Sequence, residues 1–220
     1  MLVAAGAPGV GTVPANGEAE LGTRMLVDHV ARALPEVLRD MNKNSDNTLA
    51  RLIYQSLGSL EPDAYFGSHP ASFTTPDSTA QRSDQLIRLW FHRHAIGTEG
   101  LMLENGSGLS RSERIRPAQM ASVLQAASAS PWAPEFLSSL PIASLDGTMR
   151  KRLRGSAAAA RARIKTGSLE NVVAIAGFVP DASGQQCIVV AMINADLVGK
   201  GAAARAALDA LIAWVAVTGS

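Results

Sequence analysis

Apolar residues recur at helical spacing in several separate stretches of the chain. Between Asn47 and Leu57, three leucines and one isoleucine fall on one side of a helix. Ser45 or Asp46 can cap its first turn, because a short side-chain oxygen accepts hydrogen bonds from the free backbone N–H groups there. The pattern predicts further helices from Pro35 to Met41, Asp84 to His94, Pro117 to Ala127, Pro131 to Ser139 and Gly201 to Val217.

Extended segments dominate the C-terminal third. Val172 to Val179 is apolar and rich in β-branched residues, and Cys187 to Asn194 is similar, so both are predicted strands. Pro180-Asp-Ala-Ser-Gly184 between them favours a hairpin turn. The residues around Lys165 predict an edge strand paired with the first of these, and Leu101 to Leu103 predicts another short strand. Helices followed by an antiparallel meander and a terminal helix indicate an α+β fold.

Other stretches lack a regular pattern. Residues 1–24 are rich in Gly, Ala and Pro and are expected to be a tail or the end of a preceding domain, and residues 25–220 the folded portion. Leu26 to Leu34 predicts a strand or a short helix. Gly58 to Ser83 contains three prolines and many hydroxyl residues, so an exposed connection of unusual length is expected.

The composition of the chain excludes several classes of function. The chain has 220 residues, 47% of them hydrophobic, and a net charge of +1, so no overall field attracts nucleic acid or an anionic membrane. Cys187 is the single cysteine, which excludes an internal disulfide, and it is predicted to be buried. The first ten residues lack the basic start and unbroken apolar core of a signal peptide, and no stretch is long enough to span a membrane.

Two short motifs carry the candidate chemistry. Lys165-Thr166-Gly167 places an ammonium, a hydroxyl and a residue without Cβ in series on the predicted edge strand. Alternation puts Lys165 and Gly167 on one face and Thr166 and Ser168 on the other. Ser45-Asp46-Asn47 lies in a loop between two predicted helices. Ser-Asp-Asn and Lys-Thr-Gly occur together, with Ser-x-x-Lys, in penicillin-binding proteins and class A β-lactamases.

The surrounding residues make a more specific resemblance. Four blocks in order, Leu38–Ala50, Asn105–Arg111, Leu140–Thr148 and the Lys-Thr-Gly hairpin, resemble the D-alanyl-D-alanine carboxypeptidase/endopeptidase family of low-molecular-mass penicillin-binding proteins. The resemblance extends from about residue 34 to about residue 196. It implies a penicillin-binding-protein/β-lactamase-like transpeptidase fold, peptidoglycan stem peptides and β-lactams as partners, a periplasmic location, and no cofactor.

The same resemblance implies roles for individual residues. Ser45 would relay a proton to the leaving nitrogen, and Asn47 would hydrogen-bond the substrate amide. Lys165 would supply positive charge close to Ser45 and to the terminal carboxylate of the substrate. Thr166 would contribute a hydroxyl to the same carboxylate, and Gly167 would permit close approach to the strand. Ser168 would provide its backbone N–H as half of the oxyanion hole.

Asp46 would hold its loop through backbone hydrogen bonds. Asn105 stands where the family usually has aspartate, and the Gly-rich block that it begins is interpreted as structural.

One motif of the set does not occur. The chain has four lysines, preceded at the third position by Asp40, Thr148, Ala162 and Leu197, so it contains no Ser-x-x-Lys. The chain is therefore expected to be the C-terminal portion of such an enzyme and inactive by itself, with a third strand whose exposed edge invites self-association. The alternative is a non-catalytic truncated remnant that at most binds a partner chain.

Each motif also has an ordinary structural interpretation. Taken alone, Ser45-Asp46-Asn47 is more often a helix cap, and Lys165 an exposed strand lysine. His92 and His94 lie on different faces of the predicted helix and lack an acidic or cysteine partner, so no metal site is expected. The basic run from Arg150 to Arg154 is interpreted as a solvated segment, so no nucleic-acid partner is expected.

Overall fold

The computed structural model describes residues 32–63, 67–71, 77–196 and 201–219, and the side chains of residues 62, 63, 67 and 68 are not part of this description. The predicted tail at residues 1–24 and most of the element predicted at Leu26 to Leu34 lie outside the described residues. The elements are α1 (Leu34–Asn44), α2 (Asn47–Ser59), β1 (Leu60–Asp63), β2 (Gly67–Pro70), α3 (Thr79–Arg93), α4 (Pro117–Ser128), α5 (Ala133–Ser139), a 3₁₀ turn (Gly147–Met149), β3 (Arg163–Leu169), β4 (Val172–Pro180), β5 (Gln186–Asn194) and α6 (Ala202–Val217).

The prediction was wrong for the segment from Gly58 to Ser83. Its described part contains the end of α2, an antiparallel hairpin of β1 and β2, and the first turn of α3. Helix α3 begins before the predicted Asp84 because Ser78 and Gln81 form a capping box, in which each side chain accepts a hydrogen bond from the other residue's backbone N–H. The predicted strand at Leu101–Leu103 is reduced to an isolated bridge between Met102 and Arg114.

The larger sheet has the strand order β3-β4-β5, antiparallel throughout. One face packs on α6, whose Leu208 and Ile212 are buried against Ile164, Val173 and Ile175. The opposite face packs on the helical region, where Phe178 contacts Phe136 edge to face with ring centroids 6.3 Å apart. Antiparallel strands between helices confirm the predicted α+β class.

Strand β5 is at the edge of this sheet as the structure describes it, paired with β4 over its whole length. Val189 of this strand is buried, whereas Cys187, predicted to be buried, is half-buried. The difference arises because Cys187 lies near the start of an edge strand, where less of the chain covers it. Self-association through this edge stays a prediction.

Helices α2 and α3 approach each other closely at Gly58. A Cβ atom at this position would lie 2.2 Å from the carbonyl oxygen of Thr79 and 2.7 Å from Oγ of Ser83. Ser83 is fully buried, and its hydroxyl donates a 2.6 Å hydrogen bond to the carbonyl oxygen of Tyr54. The crossing therefore depends on a residue without a side chain on one helix and a small hydroxyl on the other.

We expect Gly58→Ala to lower the free energy of unfolding by about 1–3 kcal/mol, because the added methyl group would collide with backbone and force the helices apart. Urea unfolding measures this value. Gly97→Ala is the matched control, since a Cβ there meets nothing within 4 Å, and its effect should stay within about 0.5 kcal/mol. Equal stability of the two variants would contradict the close helix crossing.

Candidate active site

The loop between α1 and α2 presents Ser45 in a constrained backbone. Ser45 has φ 55°, in the left-handed region that non-glycine residues rarely adopt. Next to it, Asp46 caps α2: Oδ1 accepts hydrogen bonds of 2.9 Å from the backbone N–H groups of Thr48 and Leu49. The predicted cap at Asp46 is confirmed, and its carboxylate is committed to the backbone.

Lys165 brings the two motifs together. Its Nζ donates a 2.8 Å hydrogen bond to Oγ of Ser45, 120 residues away in sequence, and a 2.7 Å hydrogen bond to the carbonyl oxygen of Thr166. Burial lowers the pKa of the Lys165 ammonium below the ordinary lysine value. Among the described residues no carboxylate lies within ion-pair distance of Lys165. The ammonium is therefore partly desolvated and has no neutralising charge in the described part of the chain.

The other residues of β3 alternate as the strand requires. Ile164 is buried against α6, so Thr166 and Ser168 share that side, while Lys165 points to the opposite face with Gly167. A Cβ on Gly167 would meet only Cβ of Ala174, at 3.7 Å, so the space over Gly167 is open.

Thr166 Oγ1 donates a 2.9 Å hydrogen bond to Oγ1 of Thr148. Ser168 Oγ lies 3.5 Å from Nη2 of Arg205, at the limit of a hydrogen bond.

Asn47 is the first residue of α2, and its side chain is exposed. Asn47 follows Ser45 by two residues in the sequence, and its amide makes no hydrogen bond to any described residue. A Cβ on Gly108 would lie 3.7 Å from Oδ1 of Asn47, so the Gly-rich loop passes beside this amide. The amide is thus available to a ligand at the end of the helix.

The Gly-rich loop is a tight turn packed on α2. Gly106 has φ 70°, and a Cβ there would lie 2.2 Å from Cβ of Tyr54, so both its backbone and its surroundings require glycine. Oδ1 of Asn105 accepts a 2.9 Å hydrogen bond from the backbone N–H of Ser107, and the carboxylate of Glu113 accepts one from the N–H of Gly106. These contacts hold the turn through its own backbone and through Glu113, which follows it.

Sequence reasoning missed the ion pair that holds the end of α1. Nζ of Lys43 lies 2.6 Å from Oδ2 of Asp146 and donates a 2.7 Å hydrogen bond to the carbonyl oxygen of Leu140. The other oxygen of Asp146 accepts a 2.7 Å hydrogen bond from the N–H of Ile142. The only signal in the sequence was that both residues lie in blocks carrying the family resemblance, since 103 residues separate them.

Of the two histidines, His94 packs against a neighbouring ring. The ring of His94 stacks on Trp90 with centroids 4.0 Å apart, and its Nδ1 lies 2.8 Å from the carbonyl oxygen of the same residue. In the described portion of the chain, no three side chains of His, Cys, Asp or Glu come together as metal ligands. No helix within that portion combines the length and apolarity needed to cross a membrane.

The chain is similar in sequence to known D-alanyl-D-alanine carboxypeptidases. The chain is 31% identical over 182 residues to a D-alanyl-D-alanine carboxypeptidase from an Actinomadura species, an alignment that covers 80% of this chain and 31% of that protein. It is 30% identical over 173 residues to the D-alanyl-D-alanine carboxypeptidase DacB of Haemophilus influenzae, covering 78% of this chain and 34% of that one. The chain therefore spans about a third of the length of the curated relatives it matches.

Solved structures agree with these relatives. Penicillin-binding protein 4 of Haemophilus influenzae, in complex with a β-lactam, superposes with a TM-score of 0.66 and 30% identity over 84% of this chain and 41% of that one. A predatory endopeptidase of Bdellovibrio bacteriovorus, in complex with an immunity protein, superposes with a TM-score of 0.59 and 21% identity over 81% of this chain and 42% of that one, which shows the fold alone.

The resemblance inferred from the four sequence blocks is thus confirmed by relatives that share both sequence and structure. A family model covers almost the whole chain, matching residues 2–217. The chain belongs to the D-Ala-D-Ala carboxypeptidase 3 (S13) family.

Proposed function

We propose that this chain provides the Ser-Asp-Asn and Lys-Thr-Gly side of the active site of a serine-type D-Ala-D-Ala carboxypeptidase/endopeptidase that acts on peptidoglycan stem peptides. The observation that carries the proposal is the 2.8 Å hydrogen bond between Lys165 Nζ and Ser45 Oγ. A chance motif match has no reason to bring these two side chains together across 120 residues. The family membership supplies the reaction class.

Lys165 and Thr166 are proposed to bind the terminal carboxylate of the substrate. A partly buried ammonium without a neutralising carboxylate among the described residues attracts an anion more strongly than an exposed lysine does. Its hydrogen bond to the carbonyl oxygen of Thr166 holds the ammonium beside that residue, whose hydroxyl is a second donor. The open space at Gly167 lets a substrate backbone approach the strand.

Ser45 is proposed to relay a proton. Its Oγ accepts the hydrogen bond from Lys165, so its own hydroxyl proton remains available for donation to the leaving nitrogen of the scissile amide. Asn47 is proposed to hydrogen-bond the substrate amide from the start of α2, where its side chain is exposed. Ser168 is proposed to contribute its backbone N–H to the oxyanion hole.

The acylated serine is not among these residues. The sequence contains no Ser-x-x-Lys, so Ser45, Asn47, Lys165 and Ser168 form a site whose nucleophile they do not supply. The proposed partners are peptidoglycan stem peptides and β-lactams, in agreement with the β-lactam bound to the Haemophilus protein. A periplasmic location is also proposed, because membership of this family implies it. A non-catalytic chain that binds a partner is the alternative.

Replacing Lys165 tests the proposal directly. Lys165→Met should abolish the preference of the chain for N-acetyl-D-alanyl-D-alanine over its C-terminal amide, since only the acid offers a carboxylate to the ammonium. Dissociation constants from NMR titration measure the preference. Lys151→Met is the control, because Lys151 is an exposed lysine of the basic run. The proposal fails if the unaltered chain binds the acid no better than the amide.

The pKa of Lys165 gives a second test. Between its lowered value in the folded chain and the higher value in the unfolded chain, the unfolded state binds more protons, so the free energy of unfolding should rise with increasing pH. Lys165→Met should remove this rise. NMR titration of the Lys165 side chain should show a pKa below the ordinary lysine value, and a pKa at the ordinary value would contradict the burial of Lys165.

The missing nucleophile generates a third expectation. The chain by itself should form no penicilloyl adduct, because covalent capture of a β-lactam requires an activated serine and Ser-x-x-Lys is not in the sequence. Intact-protein mass spectrometry after incubation with benzylpenicillin checks this result. A stoichiometric mass increase that hydroxylamine reverses would show that another residue, with Ser45 the first to examine, acts as nucleophile.

A further inference from the structure

Thr148 lies beside the proposed carboxylate site without a role in it so far. Its side chain is exposed, and its Oγ1 lies 2.9 Å from Oγ1 of Thr166. We propose that Thr148 is a positioning residue, whose hydroxyl orients the hydroxyl of Thr166 toward the carboxylate of the stem peptide. This inference rests on the function proposed above for Lys165 and Thr166.

The backbone of Thr148 is fixed on both sides. Before it, Asp146 is bound to Lys43, and a Cβ on Gly147 would lie 2.6 Å from the carbonyl oxygen of Lys43, so the chain touches the end of α1. After it, the side chain of Met149 is fully buried in the core. An exposed side chain between two anchored residues can hold its hydroxyl in a defined place at little entropic cost.

The hydrogen bonding of the two hydroxyls leaves one proton unused. In the structure Thr166 donates to Thr148, and the Thr148 hydroxyl has no acceptor among the described residues. When a carboxylate accepts the Thr166 proton instead, Thr148 can donate its own proton to Thr166 Oγ1. A hydroxyl that accepts one hydrogen bond donates a stronger one, so Thr148 both aims and strengthens the donor to the anion.

A purely structural role of Thr148 can be distinguished from a positioning role by ligand binding. A purely structural Thr148 would affect every ligand of the site equally, through a shift of β3 against the loop. A positioning role acts on the carboxylate alone, because only that group receives the Thr166 hydroxyl. The acid and amide forms of one peptide separate these two cases.

The experiment compares Thr148→Val and Thr148→Ser in the full chain, with N-acetyl-D-alanyl-D-alanine and its C-terminal amide as probes. Val keeps the shape of Thr without the hydroxyl, and Ser keeps the hydroxyl. Loss of one oriented hydrogen bond should weaken acid binding about fivefold in Thr148→Val. Amide binding should stay unchanged, and Thr148→Ser should bind the acid within about twofold of the unaltered chain.

Several outcomes would overturn the inference. Equal weakening of acid and amide in Thr148→Val, or no weakening of either, removes the positioning role while the acid preference of the unaltered chain keeps the proposed function intact. If the unaltered chain shows no acid preference, both proposals fail together. Unfolding curves for each variant accompany the titrations, and Thr148→Ala repeats the comparison if Thr148→Val is destabilised.

Discussion

The rest of the structure depends on one hydrogen bond, from the ammonium of Lys165 to the hydroxyl of Ser45, because it joins the sheet to the helical region. A lysine held among protein atoms loses hydration, and that loss is tolerated only if nearby oxygens replace the water. The carbonyl oxygen of Thr166 is one replacement, and Ser45 is the other. The sheet and the helical region must therefore be held in a fixed position relative to each other at this point.

The segment from Leu140 to Met149 provides that fixation. It contacts α1 through the Lys43–Asp146 ion pair, and it contacts β3 through the hydroxyl of Thr148. The side chain of Lys43 is 14% exposed and that of Asp146 is 40% exposed, so solvent screens this ion pair from the carboxylate side only. The backbone of this segment is also bound to the chain just before β3. The N–H of Ala143 donates a 2.9 Å hydrogen bond to the carbonyl oxygen of Ala162. Both halves of the site are thus attached to one short stretch of chain.

The sequence predicted those parts of the fold that depend on local order. The apolar stripe of α2, the cap at Asp46 and the β-branched strands β4 and β5 were recognisable because each pattern lies within a dozen residues. The start of α3 was missed, since its first turn is polar and only the pairing of Ser78 with Gln81 marks it. The β1–β2 hairpin was missed because its strands are four residues long and carry two prolines, so no alternation could indicate them.

In the candidate site, too, contiguous motifs could be predicted and contacts between distant residues could not. The two motifs could be found because their letters are contiguous, and their meeting at Lys165 and Ser45 followed from the family resemblance. The contacts of Lys43 and Thr148 could not be found, since each joins residues that are distant in sequence and individually unremarkable. Only packing of the helical region against the sheet determines which distant charges and hydroxyls become neighbours.

The left-handed backbone of Ser45 places two opposing requirements on one residue. At φ 55° a glycine would be more comfortable than any other residue, and the strain that serine carries there is of order 1 kcal/mol. A glycine at position 45 would relieve that strain but would remove the hydroxyl that Lys165 contacts. At this one residue the backbone conformation favours glycine, whereas the hydrogen bond to Lys165 requires a hydroxyl, so the two requirements oppose each other.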